Sequence, residues 1–141
     1  MKTENISLWM EQADELRVER ARLMDDMETD IAIIGAGFTG LWTAYYLKKL
    51  KPDLRIALFE QRCVGYGASG RNGGWLLGQM LGEEVLLQRL PRTERTAYQN
   101  LIKQIPDQVA QVLAEEGIDC GYHKGGGRAQ PAGDLFPSHA G

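Results

Sequence analysis

The pattern of hydrophobic and polar positions changes character at Asp30. Before it, residues 7–28 have the sequence "SLWMEQADELRVERARLMDDME", which carries dense charge of both signs among good helix formers. Such a segment predicts a solvated helix or a lead-in arm that packs its few large apolar residues, Trp9, Leu16 and Leu23. We therefore expect residues 1–29 to form an N-terminal helical lead-in.

Residues 30–60 show the pattern of two strands joined by a helix. The run "DIAII" has no polar interruption, which is typical of a strand buried on both faces of a parallel sheet. A glycine-rich turn follows, "FTGLWTAYYLKKL" predicts a helix, and "RIALFE" predicts a second buried strand. The α/β fold expected here is one Rossmann-like βαβ unit with parallel strands, which leaves the sheet incomplete.

The remainder of the chain predicts helices and then loses its period. The segment "GYGASGRNGGWLLG" has six glycines in fourteen residues. Residues 83–116 predict mostly helix with an apolar stripe, in which Pro106 predicts a kink or a break. Residues 117–123, "GIDCGYH", are a candidate short strand. We expect residues 30–126 to form a partial nucleotide-binding domain and residues 127–141 to be an irregular, disordered tail.

Composition narrows the class of protein. With 141 residues, 43% hydrophobic and 25% charged, the chain suits one soluble domain, and its net charge of −3 gives no electrostatic reason for a nucleic-acid partner. The uncharged run from Ile31 to Leu47 is too short to span a membrane, and no signal peptide is evident. Cys63 and Cys120 have no metal-ligand spacing and favour reduced cytoplasmic thiols over a disulfide. We expect no metal site and no membrane partner.

A phosphate-binding motif lies between the first strand and the helix. Gly35, Gly37 and Gly40 fit G-x-G-x-x-G in the strand–turn–helix context that this motif requires. In that context they would allow the tight turn, the approach of a pyrophosphate and the close packing of helix on strand. Glu60 ends the second strand, where a carboxylate can accept hydrogen bonds from ribose hydroxyls. The alternative is a buried turn with an unrelated surface glutamate.

The second glycine-rich segment bears on which dinucleotide binds. A flavin needs backbone close along its pyrophosphate and ring, and Ser69, Arg71 and Asn72 can donate to phosphate or ring oxygens. A nicotinamide-dependent dehydrogenase has no evident need for such a segment. A flexible surface loop is the other interpretation.

The stretch "DIAIIGAGFTGLWTAYYLKKLKPDLRIALFEQRCVGYGASGRNGGW" resembles the FAD-binding N-terminus of the D-amino-acid oxidase and glycine oxidase superfamily. It is most similar to the amine-oxidising branch with gamma-glutamylputrescine oxidase-like and aminophosphonate-oxidising proteins. The resemblance implies FAD as cofactor and a small amine or amino acid as substrate. It implies hydride transfer to flavin N5, imine hydrolysis, and reoxidation by dioxygen to hydrogen peroxide. The cofactor-binding residues implied are Gly35, Gly37, Phe38, Thr39, Gly40, Glu60, Gln61, Ala68, Ser69, Arg71, Asn72 and Gly73.

The same resemblance predicts a fragment. Family members are much longer, and two strands with one helix leave sheet faces and edges uncovered. Neither His123 nor His139 is a convincing catalytic base, and Cys63 is better explained as a small core residue than as a flavin attachment site. Three interpretations stay open: the nucleotide-binding part of an oxidase, a non-catalytic remnant, and a less favoured NAD(P)-dependent dehydrogenase fragment.

Overall fold

One βαβ unit dominates the first half of the chain. The structure is a computed structural model that describes residues 7–13, 18 and 20–125. These divide into two compact units, the first ending at Trp75 and the second beginning at Leu76. The elements in chain order are α1 (Leu8–Gln12), β1 (Ile31–Ile34), α2 (Phe38–Leu50), β2 (Ile56–Phe59), a 3₁₀ turn (Ala68–Gly70), α3 (Glu83–Arg89) and α4 (Arg92–Glu115).

The strands β1 and β2 pair in parallel, with Ile31 opposite Ile56 and Ile34 opposite Phe59. Asp30 sets this register, because its carboxylate accepts from the Arg55 amide at 2.8 Å and from the Arg55 guanidinium at 2.9 Å. Its own amide donates to the Arg55 carbonyl at 2.9 Å. The α2 helix connects the two strands, so the predicted partial Rossmann-like unit is confirmed.

The two faces of this sheet are not equally covered. Ile33 lies on the face that α2 packs against, 3.3 Å from where a Cβ on Gly40 would stand. Along β1 partly buried and exposed residues alternate, and Ile34 is 82% exposed. The prediction that β1 is buried on both faces is therefore wrong, because only α2 covers the sheet within the described residues. The expectation of an uncovered sheet face is confirmed.

The N-terminal segment is helical over one short stretch only. Helix α1 begins after Ser7, whose hydroxyl accepts from the Met10 amide at 3.2 Å, and ends at Gln12. Residues 20–29 contain no helix, Leu23 is exposed, and Leu16 lies outside the described residues. The predicted helix over residues 7–28 is thus wrong for residues 20–28, since good helix formers without a packed apolar face do not hold a helix. The predicted boundary after residue 29 stays a prediction.

In the second unit, the helices break at a different proline from the one predicted. Pro91 separates α3 from α4, whereas α4 continues through Pro106. Because proline has no amide hydrogen, α4 lacks one backbone hydrogen bond at Pro106 without ending there. The predicted break there is wrong, and a kink stays a prediction.

The segment after α4 forms no strand. Residues 118–125 have no regular structure, so the predicted strand at 117–123 is wrong. The tail at 127–141 lies outside the described residues. Among the helices of the described ranges, none has the length and apolar character needed to cross a membrane.

Candidate functional site

The turn after β1 brings strand and helix into close contact. Gly35 has φ +100°, a left-handed conformation that side chains disfavour, and its amide extends the sheet by donating to the Phe59 carbonyl at 2.7 Å. A Cβ on Gly40 would lie only 2.0 Å from the Gly35 carbonyl oxygen. These two positions therefore need glycine, as the motif predicts, for the turn and for the packing of α2.

The first turn of α2 offers free backbone donors. Gly37 precedes the helix and accepts from the Leu41 amide at 3.0 Å, while the Phe38 amide donates to Ser69 Oγ at 2.8 Å. Within the described part of the chain, the Thr39 and Gly40 amides have no acceptor. Because a helix N-terminus also carries positive dipole charge, these amides suit an anion such as a phosphate.

Ser69 joins the second glycine-rich segment to this helix start. It lies on the 3₁₀ turn, 31 residues from Phe38 in sequence. A hydroxyl that accepts a hydrogen bond still carries its own hydrogen, so Ser69 can also donate to an anion at the same point. A Cβ on Gly37 would lie 2.9 Å from Ser69 Oγ and would displace it. The structure thus brings together the two segments that sequence analysis singled out.

Glu60, directly after β2, forms a hydrogen bond to the turn that follows β1. Its Oε2 accepts from the amide of fully buried Ala36 at 2.9 Å, and its Oε1 accepts from the Arg62 amide at 3.0 Å. These backbone donors, that of Ala36 foremost, lower the pKa of Glu60 below its usual value. A carboxylate has about four acceptor sites, so Glu60 can still accept from a ribose hydroxyl. The neighbouring Gln61 is exposed.

The other side chains predicted to bind the flavin from the second glycine-rich segment, those of Arg71 and Asn72, form hydrogen bonds within their own loop. Arg71 Nε donates to the Tyr66 carbonyl at 3.0 Å, and its guanidinium lies over the Tyr66 ring at 4.8 Å from the centroid. Asn72 Nδ2 donates to the Ser69 carbonyl at 2.8 Å. Ala68 and Gly73 are exposed on the same loop. These contacts shape the loop, and the roles predicted for these residues toward a flavin stay predictions.

Sequence analysis expected Trp9 to pack but did not place Ser7, Trp9 or Met10 at this loop. Ser7, Trp9 and Met10 all contact it, through a hydroxyl, an indole and a thioether. The available signal was a serine before two large apolar residues in an otherwise highly charged segment. That pattern identifies a capped helix with something to bury, but not what the helix packs against.

The remaining candidates for a chemical role are two cysteines and two histidines. Cys63 is partly buried and Cys120 is exposed, and both are free thiols. His123 is exposed, and His139 lies outside the described residues.

Comparison with known proteins identifies a family for most of the chain. The family model DAO, described as FAD dependent oxidoreductase, matches residues 30–133. Protoporphyrinogen oxidase of Saccharomyces cerevisiae is 38% identical over 69 residues, which cover 46% of this chain and 12% of that protein. Thiamine thiazole synthase is 48% identical over 59 residues in Aspergillus fumigatus, covering 42% of this chain and 16% of that protein. The Ajellomyces capsulatus enzyme of the same name is 43% identical over 79 residues, covering 51% and 22%.

The matched stretches span less than a quarter of the length of these relatives. No solved structure matches the chain significantly.

Proposed function

The chain belongs to the DAO family of FAD-dependent oxidoreductases, and on that premise we propose that it carries the ADP-binding part of an oxidase for an amine or amino acid. The branch that we propose is the amine-oxidising one, with gamma-glutamylputrescine oxidase-like and aminophosphonate-oxidising proteins, which the stretch from Asp30 to Trp75 resembles. When bound, FAD would supply the oxidising chemistry: it would accept a hydride from the carbon beside the substrate nitrogen, and dioxygen would reoxidise the reduced flavin and yield hydrogen peroxide.

The hydrogen bond from the Phe38 amide to Ser69 Oγ carries this proposal. It joins two segments that are remote in sequence at the start of α2, where amides of Thr39 and Gly40 are free. A pyrophosphate there would accept from these amides and from the Ser69 hydroxyl, and the helix dipole would favour its charge. The residues present therefore fit the diphosphate of FAD.

The position of Glu60 supports a binding site for the adenosine ribose beside that diphosphate. Its carboxylate is held against the Gly35–Gly37 turn by the Ala36 amide, which lowers its pKa, and it is ionised at neutral pH as glutamates ordinarily are. An ionised carboxylate accepts hydrogen bonds from two vicinal hydroxyls better than a neutral acid does. In our proposal, Glu60 thus orients the ribose while α2 binds the phosphates.

FAD titration of the complete 141-residue chain tests the binding part of the proposal. Gly37→Val would displace Ser69 and fill the approach to α2, so we expect it to abolish measurable FAD binding. Glu60→Ala should weaken binding by about 1.5–3 kcal/mol, the range for hydrogen bonds to charged groups. Gly125→Val is the matched control, because a Cβ there meets nothing within 4 Å.

Flavin fluorescence and the absorbance of bound flavin report the affinity in each variant. Unchanged affinity in Gly37→Val would refute the phosphate site, and equal losses in Gly37→Val and the control would show a general folding defect instead.

The substrate class is tested by exchanging segments between proteins. Residues 30–75 would replace the matching segment in a full-length amine oxidase of the proposed branch and in a thiamine thiazole synthase. We expect only the amine-oxidase chimera to keep the activity of its host, which is amine-dependent peroxide release. A thiazole synthase chimera that keeps its host's activity, while the amine-oxidase chimera loses peroxide release, would exclude the proposed branch.

The FAD-loaded chain by itself should release no peroxide from amines, because the sequence assigns it neither a catalytic base nor a substrate pocket.

A further inference from the structure

The short helix α1 packs on the loop that carries Ser69. The Ser7 hydroxyl donates to the Gly70 carbonyl and also accepts from the Met10 amide at 3.2 Å. One hydroxyl thus caps α1 and bonds the loop. The start of this helix is therefore positioned by a residue directly next to Ser69.

Trp9 makes the second connection. Its indole N–H donates to the Asn72 carbonyl at 2.7 Å, and its ring edge lies so close to Gly74 that a Cβ there would stand 2.7 Å from Cζ2. The side chain is 42% exposed, so the part that is covered is the part facing the loop. The contact needs both an indole N–H and a residue without a side chain opposite the ring.

Met10 makes the third connection and is one of the few buried apolar side chains, at 8% exposure. Its sulfur lies 3.1 Å from where a Cβ on Gly70 would stand, and the Gly65 carbonyl closes the other side of that position at 2.4 Å. Gly70 is thus enclosed between α1 and the start of its own loop. Together, Ser7, Trp9 and Met10 contact the loop at residues 70, 72 and 74.

The geometry points to a function for α1: we propose that it is a clamp that positions loop 68–74, and through it Ser69, for binding the FAD diphosphate. This inference rests on the proposed function. A helix of five residues is not stable alone, because isolated helices below about 12–15 residues are marginal in water. The clamp and the loop therefore order each other.

Mutual ordering of α1 and the loop has a thermodynamic consequence for ligand binding. A ligand that binds the ordered loop must also stabilise the docked α1. Release of α1 must in turn weaken binding of the ligand by the same factor. Ser7, Trp9 and Met10 are positioning residues in this scheme, since their contacts described above are with the loop. Their effect reaches FAD only through the loop.

Hydrogen exchange followed by mass spectrometry tests the clamp in the complete chain without any activity assay. Trp9→Phe removes the N–H donor but keeps a ring, so the loop amides at 68–74 should exchange about 2–10-fold faster, as expected for one net hydrogen bond. Trp9→Ala also removes the ring and should exceed that change. Leu8→Ala, on the same helix and 60% exposed, should leave loop exchange unchanged. Exchange of the β1 and β2 amides, which belong to the same unit as the loop, reports whether each variant is folded.

Titration with FAD then separates the two hypotheses. For the wild-type chain, FAD should slow exchange of the α1 amides of Glu11 and Ala13, which donate to Ser7 and Trp9. Its dissociation constant should rise in Trp9→Phe and Trp9→Ala by the factors seen in loop exchange. If the wild-type chain binds no FAD, the proposed function fails and the clamp has no ligand to position. If FAD binds but the Trp9 variants leave loop exchange unchanged, or speed it without changing the dissociation constant, the clamp is refuted while the proposed function stands.

Discussion

Substitution of Gly40 by alanine tests whether close packing of α2 on the turn holds the βαβ unit together. A Cβ there would lie 2.0 Å from the Gly35 carbonyl oxygen and 3.2 Å from the carbonyl carbon. Both atoms belong to backbone that is held in place by the hydrogen bond from the Gly35 amide to the Phe59 carbonyl, at 2.7 Å. The clash cannot be relieved by rotating a side chain, so α2 and the turn must separate by about 1 Å or more to reach ordinary contact distances.

Two opposing effects set the size of the change. Overpacking of a well-packed site costs about 1–3 kcal/mol, and contact with fixed backbone puts Gly40→Ala at the upper end. Alanine regains about 1 kcal/mol over glycine through its higher helix propensity. We therefore expect a net loss of about 2 kcal/mol in the free energy of unfolding.

Urea unfolding followed by circular dichroism measures this loss. With a slope of about 1–2 kcal/mol per molar urea for a small domain, the midpoint should fall by about 1–2 M. Gly67→Ala is the matched control, since a Cβ at Gly67 meets nothing within 4 Å and its φ of −76° suits alanine. A Gly40→Ala midpoint equal to those of the wild type and the control would refute the close-packing argument.

Three further predictions concern the site and the thiols. Because backbone donors lower the pKa of Glu60, its stabilising contribution is complete above the usual glutamate value of about 4.3 and is lost as the pH falls through the lower folded value. Urea midpoints between about pH 5 and pH 3 should thus depend less on pH in Glu60→Gln than in the wild type, and parallel curves would contradict this. Ser69→Ala removes the acceptor of the Phe38 amide and should raise the FAD dissociation constant about 2–10-fold, with Ser69→Thr restoring it in the same titration. With a thiol reagent on the folded chain, exposed Cys120 should react faster than partly buried Cys63, and equal rates would argue against their burial difference.

Local sequence rules were sufficient for the βαβ unit. The apolar runs at β1 and β2, the glycines at 35 and 40, and the acid at the end of β2 all act over short distances along the chain. Their requirements are steric and can be stated before any tertiary contact is known. For this reason the strand–turn–helix order, the parallel pairing and the glycine positions agree with the structure.

The same local rules failed where burial depends on what lies opposite. Ile34 carries the same apolar character as Ile33, yet only Ile33 has a helix packed over it. Pro106 meets the rule for a helix break, yet α4 continues through it. Helix formers at 20–29 form no helix, because nothing in the described chain gives them a surface to bury against.

By itself, then, the sequence determined the glycine-rich turn, the strands beside it and the family of FAD-dependent oxidoreductases to which they belong. Only the tertiary structure decided that Ser69 reaches the first turn of α2, that Glu60 accepts from Ala36, and that Trp9 packs on the Asn72–Gly74 loop. Those contacts join residues 24 to 63 positions apart, and no periodicity or propensity encodes which surfaces will meet. They form because each satisfies a polar group or covers an apolar one that the local chain leaves open.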